Sequence, residues 1–201
     1  AAGLRVAVID AVGVAWGLRS SADGMDIGYP VTIFGGSHGD VPLEPTAGAL
    51  IADLLADTEQ SLILDLSDFP TKGSQTRFVT DFAERLYRRK ARNRTTIHMI
   101  VDEAHEFAPQ KPMRDEARML GAMESLIRGG RSRGIGATLI TQRSAALNKN
   151  VLDLADTLLA MRILSPRDRE AVNSWITHKH LDDEVGVTES LPALPTGTAW
   201  V

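Results

Sequence analysis

The chain has 201 residues, with 22 basic and 26 acidic side chains giving a net charge of −4, 43% hydrophobic residues, 24% charged residues and no cysteine. A chain of this length buries roughly 70% of the surface it exposes when unfolded, so the composition describes one globular domain and excludes global disorder, collagen and coiled coil. Without cysteine there is no disulfide framework, thiolate nucleophile or Cys-ligated zinc, a composition suited to a reducing cytoplasm, and no apolar run approaches the ~20 residues of a membrane span.

The sequence starts Ala1-Ala2-Gly3 with neither an initiating Met nor a signal-like leader, and ends Thr198-Ala199-Trp200-Val201 in what reads as mid-strand. Both ends are therefore expected to be cuts through a longer protein. Residues 5–10 form the first predicted strand, followed by 31–34, 62–66, 96–101, 137–141 and 157–161. Several of these are continuously apolar, as in a parallel sheet covered on both faces. Between them, residues 46–56 place Leu50, Leu54 and Leu55 on one helical face, and residues 74–90 repeat Phe78, Phe82 and Leu86 at every fourth position. A helix over 114–128 carries Met119, Leu120, Met123, Leu126 and Ile127, and Gly129-Gly130 is predicted to end it. Another follows Pro166, with Ala171, Val172 and Trp175 inward. Segments 35–45, 107–113 and 191–197 read as loops. Strands alternating with crossover helices define an α/β class built on one central, mostly parallel sheet with helices on both faces. The basic run Arg85, Arg88, Arg89, Lys90, Arg92 and Arg94 reads as a solvated helix face rather than a nucleic-acid patch.

The strongest chemical signal is Ile97-His98-Met99-Ile100-Val101-Asp102-Glu103, a buried-strand run ending in two adjacent carboxylates. Phosphoryl transfer from a nucleotide needs such a pair: Asp102 at the strand end to hold Mg²⁺, and Glu103, turned elsewhere by the pleat, to orient and polarise the attacking water. The next strand ends in Thr141-Gln142-Arg143, which puts an amide and a guanidinium at the adjacent carboxyl edge, where open α/β sheets bind ligands. Gln142 there is suited to contact both the γ-phosphate and the lytic water. Ahead of that strand, Arg128-Gly129-Gly130-Arg131-Ser132-Arg133-Gly134 offers three guanidiniums on a glycine-rich loop, one of which could reach a nucleotide on a neighbouring subunit.

With these residues in place, the sequence resembles the motor domain of HerA/FtsK-type ATPases. The resemblance rests on Val8-Ile9-Asp10 with Gly13 and Trp16-Gly17-Leu18, on Phe34-Gly35-Gly36 with Gly39-Asp40 and Pro42-Leu43, and on Asp65-Leu66-Ser67. It continues through Arg77-Phe78 with Phe82, Val101-Asp102-Glu103-Ala104, Pro109-Gln110, Gly130-Arg131-Ser132-Arg133-Gly134 and Thr141-Gln142-Arg143, nearly the whole chain. It implies a RecA-like P-loop NTPase core with Asp102 and Glu103 as the Walker B pair, Gln142 as sensor and Arg131 as the trans-acting finger. Asp10, Arg133 and Arg143 are then expected on the nucleotide. Ala11 stands where similar proteins usually have Pro. The resemblance further implies ATP and Mg²⁺ as cofactors, a hexameric ring, and a cytoplasmic motor that couples ATP hydrolysis to movement on duplex DNA. A nucleotide-regulated ring scaffold for a partner nuclease and a DNA-packaging or conjugation motor are the alternatives.

A phosphate cradle of the form G-x-x-x-x-G-K-[ST] is absent, because Lys72, Lys90, Lys111, Lys149 and Lys179 all follow residues other than Gly. The P-loop strand and helix are expected upstream of residue 1, so residues 1–201 read as a single ATPase-domain segment, inactive by itself. Three competing motifs are weaker. Asp102-Glu103-Ala104-His105 spells the DEAH box but without that group's later signatures, and Gly35-Gly36-Ser37-His38-Gly39 fits a nucleophile elbow but is followed by Pro42 and Pro45 rather than a helix. His105-Glu106 would need a histidine where Pro109 stands to make a zinc protease. His178 and His180 are read as surface residues.

Overall fold

The computed structural model describes residues 4–179 and 186–201. Five strands, β1 (Arg5–Asp10), β2 (Thr32–Phe34), β3 (Leu62–Asp65), β4 (Ile97–Val101) and β5 (Ile135–Leu139), form one sheet in the order β2-β3-β1-β4-β5, and every pairing is parallel. Parallel neighbours require long crossovers. These are α1 (Gly48–Asp57), α2 (Lys72–Lys90) and α3 (Ala117–Gly130), with shorter α4 (Lys149–Asp153), α5 (Pro166–His178) and α6 (Val187–Ser190) downstream.

Strand alternation splits the core in two. Ala7, Ile9, Leu62, Leu64, Ile97, Met99 and Val101 face Ile51 and Leu55 of α1, Phe78, Phe82 and Leu86 of α2, and Met119, Met123 and Leu126 of α3. The opposite pleat positions Val8, Ile33 and Ile63 form a smaller cluster with Ala15, so the cover there comes from a 3-10 turn, Ala15–Arg19. That cover stops short of β5, where Gly136 and Thr138 are exposed and one edge of the strand pairs with nothing among the described residues.

Three sequence expectations are corrected. Residues 157–161 make no strand: Leu159 and Met161 point outward at 64% and 54% exposure, and the segment forms only an antiparallel bridge between Ala160 and Trp200. α3 closes at Gly130, but neither Gly129 nor Gly130 is a left-handed stop. The helix runs through Gly130 into a 3-10 turn, Arg131–Arg133, and the left-handed stop is Gly134 at φ 75°. Residues 191–197 begin with a 3-10 turn, Leu191–Ala193, rather than an open loop. Three of the six basic residues in the run form ion pairs, Arg85 and Arg89 with Asp53, Arg89 with Asp57 and Arg88 with Glu84, while Lys90 is buried. His180 lies outside the described residues.

Candidate active site

Because all five strands are parallel, their carboxyl ends share one edge, and Asp10, Asp65, Asp102 and the Thr141-Gln142-Arg143 segment all emerge there. The first two carboxylates shape loops. Asp10 is fully buried and accepts from the backbone N–H groups of Val12, Gly13 and Ala15 at 2.7–2.9 Å, closing the turn around Ala11 without a proline. Asp65 accepts from the Ser67 amide at 2.9 Å and its hydroxyl at 2.6 Å. Gly36, at φ 64°, lies so close that a Cβ there would sit 1.9 Å from the Asp65 carboxylate. Ser37 lies in this loop, with no helix until Gly48, so no nucleophile elbow forms.

The β4 ladder continues past the strand, with the Asp102 amide donating to Ile9 and the Ala104 amide to Ile140. Between them Glu103 adopts φ 47°, ψ 48°, the one non-glycine residue in the left-handed region among those described. Its divergence from Asp102 thus arises from this backbone turn rather than from the pleat. Such a conformation costs about 1–2 kcal/mol and persists where the surroundings enforce it. Burial raises the Asp102 carboxyl above its ordinary range; the Glu103 amide opposes this, and the charges of Asp10 and Glu103 add to it.

A cleft of about 320 Å³ opens beside this edge, lined by Ala11, Val12, Gln75, Glu103, His105, Glu106, Gln142 and Arg143. Thus Glu103, Gln142 and Arg143 come together, Asp102 lies one residue away on the same edge, and Asp10 contributes through the loop it closes. Arg131 and Arg133 do not join them. Their turn directly precedes β5 and so sits at the opposite, amino edge of the sheet. Arg133 is anchored there, its guanidinium 3.8 Å from the Tyr87 ring and donating to the Tyr87 carbonyl at 3.1 Å, whereas Arg131 is exposed.

Sequence reasoning missed the polar support of the cleft. Buried His105 has Nδ1 at 3.2 Å from Glu103 Oε2 and 2.9 Å from Thr141 Oγ1, and Nε2 at 3.3 Å from Glu106 Oε1. Glu106 is in turn fastened by Lys72, whose ammonium lowers the Glu106 carboxyl below its ordinary range. The signal that could have found Lys72 and Gln75 is their position in the first turns of α2, behind the capping Thr71.

No protein-family model matches the chain. Among curated proteins, it is 35% identical over 94 residues to the DNA double-strand break repair helicase HerA of Pyrococcus furiosus, covering 45% of this chain and 16% of that protein. It is 32% identical over 107 residues to the "Probable DNA double-strand break repair helicase HerA" of Methanocaldococcus jannaschii, covering 52% of this chain and 20% of that one. The matched region therefore spans a fifth or less of these relatives. Among solved structures, the genome packaging NTPase B204 from Sulfolobus turreted icosahedral virus 2, in complex with ATP-gammaS, superposes with a TM-score of 0.53 at 15% identity, over 96% of this chain and 88% of that one. Its sulfate complex gives a TM-score of 0.54 at 14% identity, over 95% and 86%. The five-stranded parallel sheet defines an α/β fold, which these neighbours share. Over about half of its length the chain is similar in sequence to these HerA helicases.

Proposed function

We propose that the chain carries the catalytic edge of a cytoplasmic, ring-forming DNA motor that couples ATP hydrolysis to movement on duplex DNA. The observation that carries this reading is the meeting of Glu103, Gln142 and Arg143 in one cleft beside Asp102, on adjacent strands of a RecA-like sheet. Glu103 takes the proton of the attacking water, Gln142 holds that water against the γ-phosphate, and Arg143 offsets phosphate charge. Asp102 would anchor Mg²⁺. The residues fit a hard cation, since Asp102 sits among carboxylate oxygens whose mutual repulsion a divalent charge relieves. Among the described residues no three His, Cys, Asp or Glu side chains could hold an ion by themselves, so water and phosphate oxygens would complete the shell. When bound, Mg²⁺ supplies charge neutralisation on the phosphates.

The phosphate-binding loop belongs outside these 201 residues, and the bare edge of β5 supports this, because its outer side pairs with no strand among the described residues. Arg131 would serve the nucleotide of an adjacent copy in a ring, a reading supported by its exposure at the sheet edge away from its own cleft. Among the described residues, no helix is long and apolar enough to cross a membrane.

The test is ATP turnover by the intact protein with and without duplex DNA, with Glu103→Gln as control. DNA-stimulated turnover abolished by the substitution is the expected result. Turnover indifferent to DNA would replace the motor with a nucleotide-regulated scaffold for a nuclease or other effector, and turnover surviving Glu103→Gln would remove the catalytic assignment.

A further inference from the structure

His105 is nine-tenths buried, yet both of its ring nitrogens face polar groups drawn from separate parts of the chain. Nδ1 meets Thr141 Oγ1 from the β5 side and Glu103 Oε2 from the β4 side, and Nε2 meets Glu106 Oε1, which Lys72 ties to the start of α2. Thr141 Oγ1 also accepts the Arg143 amide at 3.0 Å, so it organises the backbone that presents Gln142. Glu103 Oε2, although 3.2 Å from the ring, makes no hydrogen bond among the described residues and keeps its lone pairs unspent. Thr141 Oγ1 and Glu103 Oε2 thus share the Nδ1 side of the ring while Glu106 Oε1 faces its Nε2 side, so the ring is held between the turn after β4 and the segment after β5.

From these contacts we propose that His105 is a positioning residue that couples Glu103 to the Gln142-bearing segment, so that displacement of Thr141 on nucleotide binding is felt at the catalytic carboxylate. The backbone joins the two segments last at the Ala104 amide and the Ile140 carbonyl, and beyond that point the His105 ring is the side chain that spans them. The inference rests on the catalytic role assigned above to Glu103. It differs from a simple packing role in what it requires: loss of the ring must impair the chemical step while nucleotide binding persists, and it must act through Thr141.

The experiment uses the intact protein carrying Glu103→Gln, His105→Ala, Thr141→Val or the His105/Thr141 pair. The expected result for His105→Ala is a fall in kcat of at least tenfold, with KM for ATP and the Kd of a fluorescent ATP analogue within about twofold of wild type. In the pair the losses should not multiply, since both changes break one link. Hydrogen–deuterium exchange without turnover supplies a second readout. A non-hydrolysable ATP analogue should change exchange over both 103–107 and 141–143 in the wild type, but only over 141–143 in His105→Ala. If His105→Ala fails to assemble, His105→Gln, which keeps a polar atom near the Nε2 position but none at Nδ1, carries the same comparison. Turnover within twofold of wild type, losses that multiply in the pair, or unchanged coupling of the two segments would overturn the proposal while leaving the role of Glu103 intact. If Glu103→Gln itself remains active, the catalytic reading fails and takes the proposal with it.

Discussion

The Lys72 ammonium closes on the Glu106 carboxylate and also donates to the Glu106 carbonyl at 3.0 Å, fastening the first turn of α2 to the turn that follows β4. Side chains from two crossovers thereby brace one wall of the cleft. Replacing Lys72 with Met should cost below about 1 kcal/mol, because both partners are partly exposed and the pair is screened by solvent. The lowered Glu106 carboxyl fixes the sign: its contribution is present at neutral pH and disappears as pH falls through that lowered value. Denaturant unfolding at pH 7 and near pH 3 checks this, with wild type and variant converging in acid.

Lys90 is fully buried between the end of α2 and Thr95, and burial, with the nearby Arg5 charge, pushes its amine down to about 8. An unfolded chain holds that proton up to about pH 10.4, so between the two values the unfolded state binds more protons and stability rises with pH. The full effect is about 3 kcal/mol at ~1.4 kcal/mol per pKa unit. A Lys90→Met variant should lose the rise between pH 8 and 10.5, read from urea midpoints across that range. An identical slope in the two proteins would contradict it.

Asp102 presents the reverse case, since its carboxyl is raised and its charge at neutral pH opposes folding. Asp102→Asn should therefore gain roughly 0.5–2 kcal/mol in the nucleotide-free protein while abolishing turnover, a trade of stability against activity. Thermal melts paired with an ATPase assay decide it; a destabilised variant would show that the charge is already compensated.

Gly36 and Gly17 make a matched pair. A methyl at Gly36 meets the Asp65 carboxylate at 1.9 Å on a backbone at φ 64°, whereas nothing lies within 4 Å of one at Gly17. Gly36→Ala should lose more than about 2 kcal/mol through clash and left-handed strain. Gly17→Ala should stay within about 0.5 kcal/mol. Equal unfolding midpoints for the two variants would refute the packing described around Asp65.

Arg131, if it acts on a neighbouring copy, can be complemented. Intact Arg131→Ala and Glu103→Gln proteins should each lack turnover, and a mixture should regain part of it, because some interfaces then combine an intact Glu103 with an intact Arg131. A mixture as inactive as its parents would remove the trans role.

Much of the fold is legible in the sequence because continuous apolar strands and fourfold helical repeats dominate it; β1 through β4 and the cores of α2 and α3 follow from those patterns alone, whereas α1 buries Ile51 and Leu55 and leaves Leu50, expected on its inner face, 69% exposed. The segment at 157–161 misleads because an apolar run does not reveal which of its residues point outward. Likewise, Gly129-Gly130 looks like a helix stop, although the position that needs a left-handed backbone is Gly134. At the site, Asp102, Glu103, Gln142 and Arg143 are found by their places at strand ends. His105, Glu106, Lys72 and Thr141 escape because their significance lies in contacts between segments more than thirty residues apart, which no local pattern records.

The strand order also governs how the molecule can be made. Of these five strands β1 is synthesised first, yet it has β3 on one side and β4 on the other. Every pairing is parallel, so no hairpin can nucleate locally, and each contact waits on closure of a long crossover. The nascent β1 must stay unpaired until Leu62 emerges and half-paired until Ile97 does. For that interval its Val-Ala-Val-Ile run is exposed apolar chain, a segment suited to chaperone capture during translation.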